Sequence, residues 1–141
     1  LSLSANATYV NENELEEPAV GGLPAEIDPE LEEIRRPEWA GQFGVGYARG
    51  RWTVNWDGTH FGEQLLGGGA EIESAFGNFG PSVMQDAVVV HNVSGTFAPM
   101  EGLSIYGGIN NLGDEEPFFS ENAYPVSPMG RYFFLGATYS M

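Results

Sequence analysis

The chain has no cysteine and no lysine, and only two histidines, His60 and His91. Without cysteine there is no disulfide scaffold, no thiolate metal site and no cysteine nucleophile. Two histidines restrict any imidazole-based metal site to one completed by carboxylates. Cations are scarce, five arginines against twenty carboxylates, for a net charge of −15. That balance argues against a nucleic-acid partner, because phosphate binding needs clustered cations to release counterions. It also disfavours docking onto anionic lipid from the cytosolic side. Mean hydropathy is −0.20 and no apolar run approaches the length of a membrane helix, which excludes a helical span but not a membrane β-barrel, whose strands alternate. The sequence opens at Leu1 with no basic segment leading into an apolar core, so it shows no signal peptide to read.

What is abundant points to strands. Twenty glycines, nine prolines and 13% aromatic residues in 141 suit many short strands better than helices. Leu1, Leu3, Ala5, Ala7 and Tyr9 alternate with Ser2, Ser4, Asn6 and Thr8, the period of a strand with one apolar and one polar face. Residues 39–48 repeat the pattern, with Trp39, Gly41, Phe43, Val45 and Tyr47 on one side and Gln42, Gly44 and Gly46 on the other. Arg49-Gly50 then turns the chain into residues 51–64, where Trp52, Val54 and Trp56 oppose Thr53, Asn55 and Asp57, which makes a hairpin. Residues 87–97 and the stretch beginning Leu103, Ser104, Ile105, Tyr106 form a second hairpin across residues 98–101. Residues 131–141 place Phe133, Leu135, Ala137, Tyr139 and Met141 opposite Tyr132, Phe134, Gly136, Thr138 and Ser140. The expected fold is therefore all-β, with about six antiparallel strands of the length that crosses a bilayer when tilted.

The connections alternate in length: long at residues 11–38, short at 49–50, long at 65–86, short at 98–101 and long at 113–130. Outer-membrane barrels show this regularity, with short periplasmic turns and long extracellular loops. Seventeen of the twenty carboxylates lie in the three long connections, and only Asp57, Glu63 and Glu101 lie elsewhere. Within the first long connection, residues 28–36 read as a short helix. Asp28 is placed as its N-cap, Pro29 at the first turn, acids early, Arg35 and Arg36 late, and Ile27, Leu31 and Ile34 as its apolar stripe.

Several residues invite a functional reading and have a plainer one. Asn110, Asn111 and Asp114 suit Asx turns that end a strand better than a ligand or metal site. His91 has no second histidine at ligand spacing, and no metal or other cofactor is expected. His60 and Asp57 point to opposite faces of one strand, so they do not form an acid/base pair. Gly44, Gly46, Gly107 and Gly108 precede no helix, which removes a nucleotide-binding loop. The acidic run of residues 12–33 reads first as a solvated loop, and alternatively as a rim that concentrates cations or steers a cationic substrate.

From residue 87 onward the order of motifs becomes specific. His91-Asn92-Val93-Ser94 is followed by a turn. Next comes Tyr106-Gly107-Gly108-Ile109-Asn110-Asn111-Leu112-Gly113-Asp114-Glu115-Glu116-Pro117, and Gly130-Arg131-Tyr132 opens the last strand. This series resembles the C-terminal end of the TonB-dependent outer-membrane receptors. In that family a strand with a His-Asp-like pair precedes one ending in Asn-Leu-Phe-Asp-x-x-Pro-Pro, and Gly-Arg-x-Tyr starts the closing strand. Here Asn92 stands for the usual Asp, Gly113 for Phe, and Phe118 for the second Pro.

The resemblance implies that residues 1–141 are a C-terminal part of a receptor barrel whose plug domain and earlier strands are absent. It implies an active transporter, not an enzyme, in the outer membrane of a Gram-negative bacterium, taking up a scarce nutrient such as iron-siderophore, a cobalamin-like chelate or an oligosaccharide. Its partners would be outer-membrane lipid and lipopolysaccharide, the TonB complex through the missing N-terminal part, the barrel-assembly machinery and the small-molecule substrate. Gln42, Thr53, Asn55, Asp57, Asn92, Ser94, Ser104 and Thr138 would line the lumen. Gly136, Tyr139 and Met141 would belong to the assembly signal. The alternative from another class is a soluble, secreted acidic β-sandwich that binds carbohydrate or protein through its loops.

Overall fold

A computed structural model describes residues 1–65, 84–118 and 124–140. Among these residues ten strands follow in chain order: β1 (Ser2–Tyr9), β2 (Glu14–Glu17), β3 (Glu26–Pro29), β4 (Trp39–Arg49), β5 (Trp52–Phe61), β6 (Gln64–Leu65), β7 (Met84–Gln85), β8 (Val88–Met100), β9 (Leu103–Asn110) and β10 (Tyr132–Tyr139). The six strands expected from alternation are β1, β4, β5, β8, β9 and β10. They form one sheet in that order, each beside its neighbour among the six in chain order, with β1 and β10 at the edges. The fold is all-β, and no helix occurs among the described residues.

Two units make up the chain: residues 1–7, 41–60 and 89–141, and residues 8–40 and 61–88. In the first unit the turn after β4 is Gly50-Arg51, with Gly50 at φ 60°, a left-handed conformation that glycine adopts without a Cβ penalty. The second short turn is Glu101-Gly102, later in the same hairpin than the expected residues 98–101. β8 runs on to Met100 through an irregularity between Phe97 and Met100, and Pro99 is accommodated there because a bulge needs no ladder N–H from it. Arg51 donates from its guanidinium to the Pro99 carbonyl, tying one short turn to the other.

The β9–β10 pairing sets Tyr106 opposite Gly136 and Gly108 opposite Phe134. Each aromatic ring lies over the glycine facing it: a Cβ on Gly136 would come within 2.5 Å of the Tyr106 ring, and one on Gly108 within 2.7 Å of Phe134. The glycine gives up its own side-chain contacts and the ring covers the bare backbone instead, a known way of stabilising glycine within a sheet.

Few apolar side chains are buried. Among the described residues only Leu65, Phe118 and Val126 form buried hydrophobic core, and none of them lies in the six-stranded sheet. The sheet's apolar side stays open, with Leu135 83%, Phe133 72%, Leu3 72% and Trp52 57% exposed.

The second unit corrects the helix expectation. Residues 28–29 close β3, which pairs antiparallel with β2 from Glu14↔Pro29 to Glu17↔Glu26. Residues 30–36 form irregular turns, with Glu32 and Arg35 at φ 67° and 72°, outside any right-handed helix. A nine-residue segment cannot repay helix nucleation without a packed face, and its backbone is satisfied elsewhere. Leu65 N donates to Glu32 O at 2.6 Å, and Arg35 N donates to Gln64 Oε1 at 2.6 Å. The acids and arginines that suggested a helix dipole instead form ion pairs across the turn, Arg36 with Glu33 at 2.9 Å and with Glu30 at 3.3 Å. Most of the long connection 65–86 lies outside the described residues.

Candidate functional site

The polar side of the sheet gathers residues from strands far apart in sequence. Pairing places Ser94 beside Gly108, Thr96 beside Tyr106, and Ser104 beside Thr138, so these share a face. Asn92 Nδ2 donates to Asp57 Oδ2 at 2.8 Å, which brings β5 onto the same side. At Gly46 a Cβ would meet Ser2 Oγ at 2.5 Å and Asn55 Oδ1 at 3.0 Å, which adds β1 and β4. Strand alternation then puts Gln42, Thr53, Asn55, Asp57, Asn92, Ser94, Ser104 and Thr138 on one continuous surface. Asp57 is its only formal charge among the described strand residues, and the Asn92 amide already occupies one of its oxygens. Gly44 opens a recess of about 280 Å³ bordered by Ser4, Asn6, Gln42, Asp57 and Thr59. A second recess of about 240 Å³ lies among Asn92, Asn110, Asn111, Ser127 and Tyr132.

Beside that second recess the motif residues of the last third form one hydrogen-bonded assembly. Asn111, 5% exposed, ends β9 in the left-handed region at φ 53°, which asparagine tolerates better than most residues. Its Oδ1 accepts from Glu115 N at 2.8 Å and its Nδ2 donates to Glu115 O at 2.7 Å, so the amide closes residues 111–115 into a compact turn. Asn92 Oδ1 accepts from Asn111 N at 3.0 Å, and Leu112 N donates to His91 O at 2.8 Å. Asn92 thus accepts with one end of its amide and donates with the other, which a carboxylate cannot do. An ionised aspartate there would face Asp57, so asparagine at position 92 suits its carboxylate neighbour.

Asp114 fastens the far end of the same connection. Its Oδ1 accepts from Arg131 N at 2.7 Å and its Oδ2 lies 3.5 Å from Arg131 Nη2. The Arg131 backbone N–H is the main reason its carboxyl titrates below the usual range. Slight desolvation opposes this, and the guanidinium's hydrogen bond and charge reinforce it. Gly130 is needed beside it: its φ is 65°, and a Cβ would lie 2.8 Å from Asp114 Oδ1.

Other expected residues serve different places. Pro117 leads into Phe118, which is 2% exposed, donates from its N to Tyr124 O at 2.7 Å and packs edge-on against Tyr124 at 5.5 Å. Val126 in the same connection is also buried, which an aromatic amid acids only hints at. Tyr132 pairs with Asn110 at the start of β10, and Gly136 lies under Tyr106. Tyr139 is 61% exposed on the apolar side, and Met141 lies outside the described residues.

His91 belongs to the apolar side, stacked on Trp56 at 5.6 Å and edge-on to Phe43 at 6.0 Å, with Nδ1 buried and without a hydrogen-bond partner. His60 and Asp57 stay on opposite faces by alternation. Among the described residues no group of three or more His, Asp or Glu side chains is placed to hold a metal ion.

The arrangement provides hydroxyls, amides and shallow recesses on one side of a sheet. Compared with family models, curated proteins and solved structures, the chain matches none of them.

Proposed function

We propose that the chain is the C-terminal barrel part of an outer-membrane TonB-dependent transporter, with the apolar side of its sheet against lipid and the polar side toward a lumen through which a scarce nutrient passes. One observation carries the reading: a six-stranded sheet keeps Leu3, Trp52, Phe133 and Leu135 exposed on one side, while the other side carries its Ser, Thr, Asn and Gln side chains together with Tyr106, Tyr132 and Phe134. In water such an apolar face would have to be covered, as in a sandwich. Against hydrocarbon it is already in its solvent, and the alternation is that of a membrane strand. The strands of the sheet have 8 to 13 residues, around the roughly 9–11 that a tilted membrane strand uses. The order of motifs from His91 to Tyr132 supports the family within that class, and the connection they organise would lie on the extracellular side.

The test is solubility and assembly. Purified without detergent, the chain should aggregate through its open face and its two unpaired edges. In detergent it should give a stable β-sheet circular dichroism spectrum. A monodisperse, cooperatively unfolding monomer in plain buffer would overturn the proposal and favour a soluble sandwich.

A further inference from the structure

The end of the sheet with the short turns differs in charge from the rest of the chain. β4 finishes at Arg49, and alternation places Arg49 on the same side as Phe43, Val45 and Tyr47. Around it that side ends in aromatic residues on separate strands: Tyr47, Trp52 stacked on Phe97 at 4.2 Å, and Tyr139. Arg51 sits in the adjoining turn and reaches the Pro99 carbonyl. Neither arginine is ion-paired among the described residues. Glu101 is the one carboxylate in these turns, so the turn side chains carry 2 − 1 = +1 in a chain of −15.

We propose that Arg49, seconded by Arg51, binds the phosphodiester headgroups of anionic phospholipid in the leaflet that meets the short turns. The proposal rests on the membrane reading above and adds a specific lipid contact to it. A guanidinium on an apolar sheet face extends its stem along hydrocarbon and places its fork at the headgroup level, where it matches phosphate oxygens. Tyr and Trp beside it prefer the same layer. The overall charge of −15 opposes this only at short range. β9 has 8 residues, and at about 3.3 Å per residue its length is roughly 26 Å, more than two Debye lengths at physiological salt. Asp114, Glu115 and Glu116 follow its far end, so their repulsion is screened while the arginines are in contact.

The test is flotation of the whole chain, refolded with vesicles of phosphatidylcholine alone or mixed with phosphatidylglycerol. Near physiological ionic strength the unaltered chain should partition better into the mixed vesicles, by about fivefold for each arginine engaged. Arg49→Gln should remove about a fivefold share of that preference and Arg49→Lys should keep most of it, with partition into phosphatidylcholine unchanged in both. Because Arg51 also braces the turns, Arg51→Gln is interpreted only alongside unaltered sheet content by circular dichroism. Equal partition of the unaltered chain into both vesicles, or a preference that survives Arg49→Gln, would overturn the proposal. So would a preference seen only with lipid A in place of phosphatidylglycerol. A chain that floats with neither vesicle overturns the membrane reading itself.

Discussion

Asp114 has a half-exposed side chain, yet it holds both ends of a connection, because Arg131 offers it a backbone N–H and a guanidinium together. Its folded-state pKa lies below its unfolded value, so its stabilising effect is complete above the ordinary carboxylate range and is lost as pH falls through the lowered value. Hydrogen exchange of amides in residues 111–118 and 124–131 should therefore quicken relative to the sheet as pH is taken from neutral into that acid range, after correction for intrinsic rates. Asp114→Asn should begin less protected and show a flatter dependence, since asparagine keeps the left-handed backbone but not the charge. Identical pH profiles for the two would remove Asp114 from this role. That Asn111 turns the chain was legible, because asparagine at the end of an alternating run has few other uses, but its side chain bonds Glu115 four residues on rather than making the two-residue Asx turn expected. Asn92 bonding Asp57 was not, since that contact depends on strand order and not on local pattern. Phe118 was equally hidden: it packs against Tyr124, a contact that alternation does not reach.

At the level of elements, period-two alternation found the six long strands because each has one apolar and one polar side, a contrast that survives without knowledge of partners. It missed β2 and β3, where glutamates fall on both sides, and capping and charge order instead suggested a helix where ion pairs and turns prevail. The hairpin of β9 and β10 is where a packing prediction is sharpest. Gly136→Val should drive a branched side chain into the Tyr106 ring and cost about 1–3 kcal/mol. Exchanging the pair, Tyr106→Gly with Gly136→Tyr, should recover most of that loss, read as the urea midpoint in detergent. If the exchange is as damaging as the single change, ring-over-glycine packing is not what holds the hairpin. Faces give a second prediction for β10. Tyr139→Asp puts a carboxylate on the apolar side and, in the receptor proposed above, should lower surface abundance more than Ser140→Asp, which follows on the polar side. Equal abundance would mean that the two sides of this strand are assigned the wrong way round.

The molecule as a whole repels itself, with a net charge of −15, and within the second unit Glu17 stands directly opposite Glu26. Screening should relieve both. The thermal midpoint in non-ionic detergent should therefore rise with added salt up to physiological strength, and Glu17→Gln should reduce that rise while stabilising the ribbon by a few tenths of a kcal/mol. A midpoint that falls with salt would show that ion pairs such as those of Arg36 outweigh the repulsion.

A last consequence concerns the rings that lie over glycines. Alternation specifies strand register only to the nearest even number, because a slip of two residues returns every side chain to its own face. The paired rings and glycines remove that ambiguity: one such slip sets Tyr106 against Phe134, and the other sets Gly108 against Gly136, so both lose the fit. In a closed barrel the summed stagger between strands is the shear, which together with strand number sets tilt and diameter. Two glycines and two aromatic rings on the final hairpin thus contribute to the bore of any pore that includes this sheet.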